Sequence, residues 1–64
     1  MSITYFPSRE DAKTAKRVFE GAMDNRDGNV AFACARIRRA ARMRTGVDER
    51  DWSLVKALAA GIDD

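Results

Sequence analysis

The sequence has no histidine, one cysteine (Cys34) and one proline among its 64 residues. Without histidine there is no imidazole for acid–base catalysis, and one cysteine can form neither an internal disulfide nor a Cys/His zinc site. No apolar run approaches the roughly 18 residues of a membrane span, and no segment resembles a signal peptide. We therefore expect a cytoplasmic protein with no membrane partner.

Catalytic patterns are missing as well. The carboxylates fall in predicted caps and turns, and no glycine-rich phosphate loop or metal-ligand spacing occurs. The serines Ser2, Ser8 and Ser53 have no evident base beside them in the sequence. We predict that the protein is not an enzyme and uses no cofactor, no metal ion and no small-molecule substrate.

Composition and hydrophobic spacing favour one small helical domain. The chain is 45% hydrophobic and 34% charged, and its length leaves room for a single core. Hydrophobic residues recur at intervals of three and four, which is the period of helices that bury one face. The sequence predicts an all-α fold: one three-helix domain over residues 1–64, with helices at about 8–24, 30–44 and 49–60 after a short extended segment at residues 2–6.

Capping residues mark the starts of these helices. Ser8, with Asp11 three residues later, has the pattern of a helix N-terminus. Asp27 or Asn29 can cap the second helix, and Asp48 can cap the third. These positions agree with the limits that the hydrophobic period gives.

The first two helices each have an apolar arc that we expect inside. On the first helix the arc contains Ala12, Ala15, Val18, Phe19, Ala22 and Met23. On the second it is made mostly of small residues, which let a neighbouring helix approach closely: Val30, Ala33, Cys34, Ile37, Ala40 and Ala41. Cys34 is therefore expected to be a small buried apolar group and not a reactive thiol.

Arginine is concentrated in one segment. The formal net charge is only +2, yet residues 36–44 hold five arginines and no acid, so the other residues sum to −3. Arginine offers a planar fork of donors that suits carboxylates and phosphates. The cluster predicts one anionic docking surface, on a protein or a nucleic acid, while the alternative is a solvated helix face with local salt bridges.

The outward side of the second helix carries the candidate site. Phe32, Arg36, Arg39 and Met43 lie within about 60° of one another on a helix of 3.6 residues per turn, and they are flanked by Arg38 and Arg42. Aromatic residues, Met and Arg are the types enriched at the centres of interfaces. We predict that these six residues bind a partner; the alternative is that Phe32 and Met43 are buried under the N-terminal segment or the third helix.

A homodimer is also predicted. A lone N-terminal strand finds no partner strand in a three-helix chain, so its natural mate is the same strand of a second copy. The third helix adds a wide apolar arc that one small domain has difficulty in covering.

One segment resembles a family of DNA-binding proteins. The residues Ile37-Arg38-Arg39-Ala40-Ala41-Arg42 are similar to the Ile-Arg-x-Ala pattern in the second helix of ribbon-helix-helix repressors. This resemblance covers about residues 2–44 and implies a dimer that lays paired strands in the major groove. The strand here presents Ile3, Thr4, Tyr5 and Phe6 and has no base-reading side chain, the first helix is longer, and a third helix is extra.

Protein binding is the function we favour from the sequence. The six residues of the candidate site suit an acidic, partly apolar surface of a larger protein complex, with the apolar side chains supplying desolvation and the arginines orientation. In size and composition the chain resembles small accessory proteins of phages and mobile elements, including inhibitors such as anti-CRISPR proteins. The sequence therefore predicts a regulator or inhibitor, with a DNA-binding regulator that contacts phosphates through the same arginines as the alternative.

Overall fold

The protein folds into three helices and a small sheet in a computed structural model, which describes residues 3–62. The elements follow one another along the chain as β1 (Thr4–Tyr5), α1 (Arg9–Asp24), α2 (Gly28–Met43), β2 (Val47–Asp48) and α3 (Glu49–Ile62). The three helices thus lie within a few residues of their predicted limits. Ser2, with which the predicted extended segment begins, lies outside the described residues.

The all-α prediction is corrected by the sheet. β1 and β2 pair antiparallel, with Thr4 opposite Asp48 and Tyr5 opposite Val47. Sequence reasoning missed β2 because two residues between helices show no alternation. The expectation that the N-terminal strand lacks a partner within the chain is therefore wrong, and the homodimer stays a prediction without that argument.

The start of α1 is fixed by a capping box. The hydroxyl of Ser8 accepts a hydrogen bond from the amide of Asp11 at 3.2 Å, and Asp11 Oδ2 accepts one from the amide of Ser8 at 2.9 Å. The same carboxylate oxygen accepts a 2.6 Å hydrogen bond from the hydroxyl of Tyr5. Burial raises the pKa of Asp11, but the hydrogen bonds from Tyr5 and Ser8 outweigh it and hold that pKa below its ordinary value. Asp11 thereby ties β1 to α1.

Contacts around β2 and the first turn of α3 hold the N-terminal segment in place. The amide of Glu49 donates a hydrogen bond to the carbonyl of Ile3 at 2.8 Å. Gly46 lies so close to Thr4 that a Cβ at this position would clash with the Thr4 side chain. The Tyr5 ring stacks on Trp52, with ring centres 5.4 Å apart and planes 2° apart. The N-terminal segment is therefore packed against β2 and α3.

The core is built where α1 and α2 pack side by side. Its buried hydrophobic residues are Ala15, Val18, Ala22, Val30, Ala33, Cys34, Ile37, Ala40, Val47 and Val55. The predicted inward arc of α2 is confirmed, apart from Ala41, which is half-buried. The expectation for Met23 is wrong, because this side chain is 59% exposed. It lies beside Gly28 and Ala31, which are too small to cover it.

No helix within residues 3–62 has both the length and the apolar character needed to cross a membrane.

Candidate functional site

The outward side of α2 presents two large apolar side chains to solvent. Phe32 is 69% exposed and Met43 is 58% exposed. The alternative that other segments bury them is therefore wrong. We call Phe32, Arg36, Arg39 and Met43 the outer face of α2. Their position agrees with the sequence-based expectation, while their role in binding a partner stays a prediction.

Arg39 and Met43 form one patch of this outer face. Nε of Arg39 donates a hydrogen bond to the sulfur of Met43 at 3.5 Å, one helical turn further along. The sulfur is a weak acceptor, so this contact holds the guanidinium loosely. A cation thus lies directly beside an exposed apolar side chain, a combination that fits the interface core and its polar rim.

Arg36 is held at the border between α2 and α3. Its Nε donates to Oδ2 of Asp51 at 2.9 Å, and its Nη2 donates to Oδ1 of the same carboxylate at 3.1 Å. The hydrogen bonds with Asp51 raise the pKa of Arg36, against a smaller opposite effect of burial. Half of the Arg36 side chain stays exposed. Arg36 is therefore oriented, and its charge is largely balanced within the chain.

Arg38 and Arg42 lie on the other border of α2, towards α1. The guanidinium carbon of Arg38 stands 5.8 Å from the ring centre of Phe19, in the geometry of a cation–π contact. Arg38 and Arg42 line an open cleft of about 400 Å³ together with Arg9 and Arg44, over Ala12 and Ala41. We call these four arginines and the space between them the arginine cleft. The six predicted site residues thus divide into two places, four on the outer face and two in the arginine cleft.

Arg9 and Arg44 were missed as site residues. Arg44 belongs to the arginine-rich segment, so its charge was visible in the sequence, but it lies beyond the helical period on which the candidate site was built. Arg9 is separated from that segment by the whole of α1. Only the pairing of α1 with α2 brings Arg9 to the cleft, and no spacing in the sequence indicates this.

Other chemistry-bearing groups have structural surroundings. Cys34 is fully buried, and burial raises the pKa of its thiol against the opposing charge of Arg38. A smaller apolar cavity of about 140 Å³ lies by the turn between α1 and α2, next to Leu58. In the described part of the chain no three His, Cys, Asp or Glu side chains are grouped to hold a metal ion.

Family models, curated proteins and solved structures were compared with this chain, and none of them matches it. A function must therefore be inferred from what α2 exposes, namely the outer face and the arginine cleft.

Proposed function

We propose that this protein is a non-catalytic interaction protein whose outer face of α2 docks on an acidic, partly apolar surface of a larger protein complex. The observation that carries the proposal is the exposure of Phe32 and Met43 next to Arg36 and Arg39. Exposed singly, large apolar side chains are common on proteins. Here two of them share one helix face with arginines, and removing them from water in a groove supplies binding free energy.

The arginines of the outer face supply direction to this docking. Arg36 is pre-oriented by Asp51, so binding loses little of its side-chain entropy. Arg39 has a weak sulfur acceptor and can exchange it for a carboxylate of the partner at low cost. An acidic groove with an apolar floor satisfies both kinds of side chain at once.

Occupying a surface is the activity that follows from this chemistry. The outer face carries no nucleophile and no general base, so it can block or stabilise a partner but cannot transform it. We place the protein among regulators or inhibitors of larger complexes, in the manner of the accessory proteins of phages and mobile elements.

The alternative is a DNA-binding regulator that contacts phosphates through Arg36, Arg38, Arg39 and Arg42. The density of arginine on α2 supports it, since phosphate contacts supply most of non-specific DNA affinity. Against it stands the pairing of β1 with β2 in the same chain, because a ribbon-helix-helix dimer pairs the N-terminal strands of two copies.

Capture of the partner from the native host tests the proposal. Phe32→Ala and Arg39→Ala should each weaken capture by at least about tenfold, which is the usual effect of removing an interface anchor. Met23→Ala is the matched control, since Met23 is also a large apolar side chain that is more than half exposed, but it lies on α1. Far-UV circular dichroism should show that all three variants keep their helices. Equal capture by Phe32→Ala and by the wild type contradicts the proposal.

Duplex DNA gives the competing result. We expect no affinity for it beyond weak binding that disappears between about 50 and 200 mM salt. Tight binding to DNA, lost in the double variant Arg36→Ala/Arg39→Ala, would instead establish the alternative.

We also propose a homodimer, based on the exposed residues of α3. Leu54 is 44% exposed and Leu58 is 40% exposed, while Val55 between them is buried. A second copy packed on α3 would cover both leucines. Light scattering at micromolar concentration should give twice the chain mass of 7.2 kDa, and a species of the single mass would remove this proposal.

A further inference from the structure

The arginine cleft gathers four guanidinium groups from separate parts of the chain. Arg9 is the first residue of α1, Arg38 and Arg42 belong to the second half of α2, and Arg44 follows its last residue. The other described residues that line the cleft are two alanines, Ala12 and Ala41. Among residues 3–62 no carboxylate lines this cleft, whereas the groove on the other border of α2 contains Asp48 and Asp51.

The acidic residues closest in sequence to Arg9 are engaged elsewhere. Glu10 forms an ion pair with Lys13 at 3.4 Å. Asp11 accepts hydrogen bonds from Tyr5 and from the amide of Ser8. The first turn of α1 therefore supplies two negative charges, and each has a partner outside the cleft.

Helix dipoles account for some of the four arginines but not for all of them. Arg42 and Arg44 lie at the C-terminal end of α2, where the partial negative charge of the helix favours a cation. Arg9 lies at the N-terminal end of α1, where the dipole disfavours a cation, and it shares the cleft with three like charges. Its position becomes favourable once an anion occupies the space between the four groups.

The backbone at Arg44 also runs against local preference. Arg44 ends α2 in the left-handed conformation, with φ at 57°, a position at which glycine is the usual residue. An arginine there costs conformational energy that a glycine would avoid. In exchange it adds a fourth guanidinium to the cleft.

We propose that the arginine cleft is a phosphate-binding site. Guanidinium groups bind phosphate oxygens through paired N–H donors, and arginine is preferred over lysine where such bidentate contacts matter. The volume of about 400 Å³ falls within the range of small-ligand sites and exceeds what one ordered water molecule needs. With four cations and no acid among its described lining residues, the cleft suits a ligand with several negative charges, such as two linked phosphates. The site lies on the opposite border of α2 from Arg36 and is independent of the outer face.

Titration with inorganic pyrophosphate tests this proposal directly. The purified protein is titrated by calorimetry at constant ionic strength, with sodium chloride replacing pyrophosphate in the control. We expect saturable binding at one site and a rise of the thermal unfolding midpoint that chloride does not produce. Absence of saturable binding, or an equal rise with chloride, overturns the proposal.

Variants locate the binding. Arg9→Gln and Arg42→Gln should each weaken pyrophosphate affinity on the order of tenfold, because each removes a charged hydrogen-bond donor. Arg39→Gln on the outer face is the matched control and should change the affinity by less than about twofold, since it lies outside the cleft. Equal losses in all three variants would show a diffuse effect of positive charge and would overturn the proposal.

Arg44→Gly separates binding from folding. The glycine relaxes the left-handed backbone, so the unfolding midpoint should stay equal or rise while the pyrophosphate affinity falls. An affinity equal to that of the wild type would overturn the proposal of a site built from these four arginines.

The phosphate can come from a free ligand or from a nucleic-acid strand, and two arms distinguish the sources. A short single-stranded DNA replaces pyrophosphate in the second arm, again with Arg9→Gln. If both ligands bind and Arg9→Gln weakens the binding of both, the cleft binds the phosphates of a nucleic-acid strand. If only pyrophosphate binds and only its affinity falls in Arg9→Gln, the cleft is a site for a free phosphate ligand. Loss of affinity in neither arm contradicts a phosphate site at this cleft.

Discussion

The buried and outward sides of α2 differ in the size of their residues as much as in polarity. The inward side consists of Val30, Ala33, Cys34, Ile37 and Ala40, of which Ile37 is the largest. The outward side carries Phe32, Arg36, Arg39 and Met43, all of them long or bulky. A helix that only had to complete a core would place its large apolar residues inside and small or charged residues outside.

This distribution of residue sizes separates the positions of α2 that core packing explains from those that it does not explain. Small residues on the inward side allow α1 and α2 to approach closely, as the fully buried Ala15 and Cys34 indicate. Close packing therefore accounts for the inward side. Close packing does not explain why a phenylalanine and a methionine are exposed to water, whereas binding to a partner explains it.

The largest expected effect comes from truncating the largest inward residue. Ile37→Ala should lower the free energy of unfolding by about 2–5 kcal/mol, because it leaves a cavity in a fully buried site. Phe32→Ala, which removes a larger side chain from the outward side, should change it by less than about 0.5 kcal/mol. Urea unfolding followed by circular dichroism measures both.

Since a 64-residue domain has little stability to lose, the milder Ile37→Val provides a second point. It should cost about 0.5–1.5 kcal/mol. A loss for Phe32→Ala as large as that for Ile37→Ala would mean that the outward side also supports the fold, and the contrast between the two sides would disappear.

One substitution made on both sides gives the next largest effect. Ala33→Leu should lower the free energy of unfolding by about 1–3 kcal/mol, because three extra carbons have no space in the contact between α1 and α2. Ala35→Leu places the same side chain on exposed helix surface and should be nearly neutral. Thermal unfolding of the two variants side by side measures the difference. Equal effects would show that the helices are not closely packed at Ala33.

The inward side of α2 was the part most accessible from the sequence. A helical period with Val30, Ala33, Ile37 and Ala40 on one arc suffices to predict which residues are buried, because burial of one face is what stabilises such a helix. The cap at Ser8 was predictable for a similar reason, since it depends on residues three apart. The outward positions of Phe32 and Met43 follow from the same period.

Contacts between distant segments were not predictable in this way. The strand β2 has only two residues, and it forms because β1, which is distant from it in the sequence, pairs with it. The pairing of Arg36 with Asp51 and the arrival of Arg9 beside Arg38 likewise depend on how the helices pack. No local period encodes these juxtapositions, so the division of the arginines between two borders of α2 appears only in the structure.

The two arginines of the outer face allow a smaller test of the contrast between the inward and outward sides of α2. Arg36→Ala should lower the free energy of unfolding by at most about 1 kcal/mol, because the bidentate pair with Asp51 is partly exposed to water. Arg39→Ala breaks only a contact with a methionine sulfur and should have no measurable effect on the free energy of unfolding. Urea unfolding at low and high salt measures both, and the cost of Arg36→Ala should shrink as salt screens the pair. A larger cost for Arg39→Ala would assign it a structural role.

The smallest expected effect concerns pH and lies away from α2. The lowered pKa of Asp11 means that its stabilising contribution is complete above the unfolded value of about 3.9 and is lost as the pH falls through the folded pKa. The hydrogen bond to Asp11 raises the pKa of Tyr5, helped by burial and by the carboxylate charge. The contribution of Tyr5 to stability is therefore complete below its unfolded pKa of about 10 and is lost as the pH rises through its folded pKa.

Tyr5→Phe tests both ends of this pH range in one variant. Without the hydroxyl, Asp11 loses one of the donors that hold its folded pKa down, so the gap to the unfolded pKa narrows and the acid loss of stability should become smaller. At alkaline pH the variant should lose the decline that ionisation of Tyr5 causes in the wild type. Thermal unfolding midpoints measured across the pH range report both changes. Phe32→Ala should leave this pH profile unchanged, because α2 carries no acidic residue within Gly28–Met43. A shifted profile in Phe32→Ala would mean that the outer face contributes to the stability of the fold.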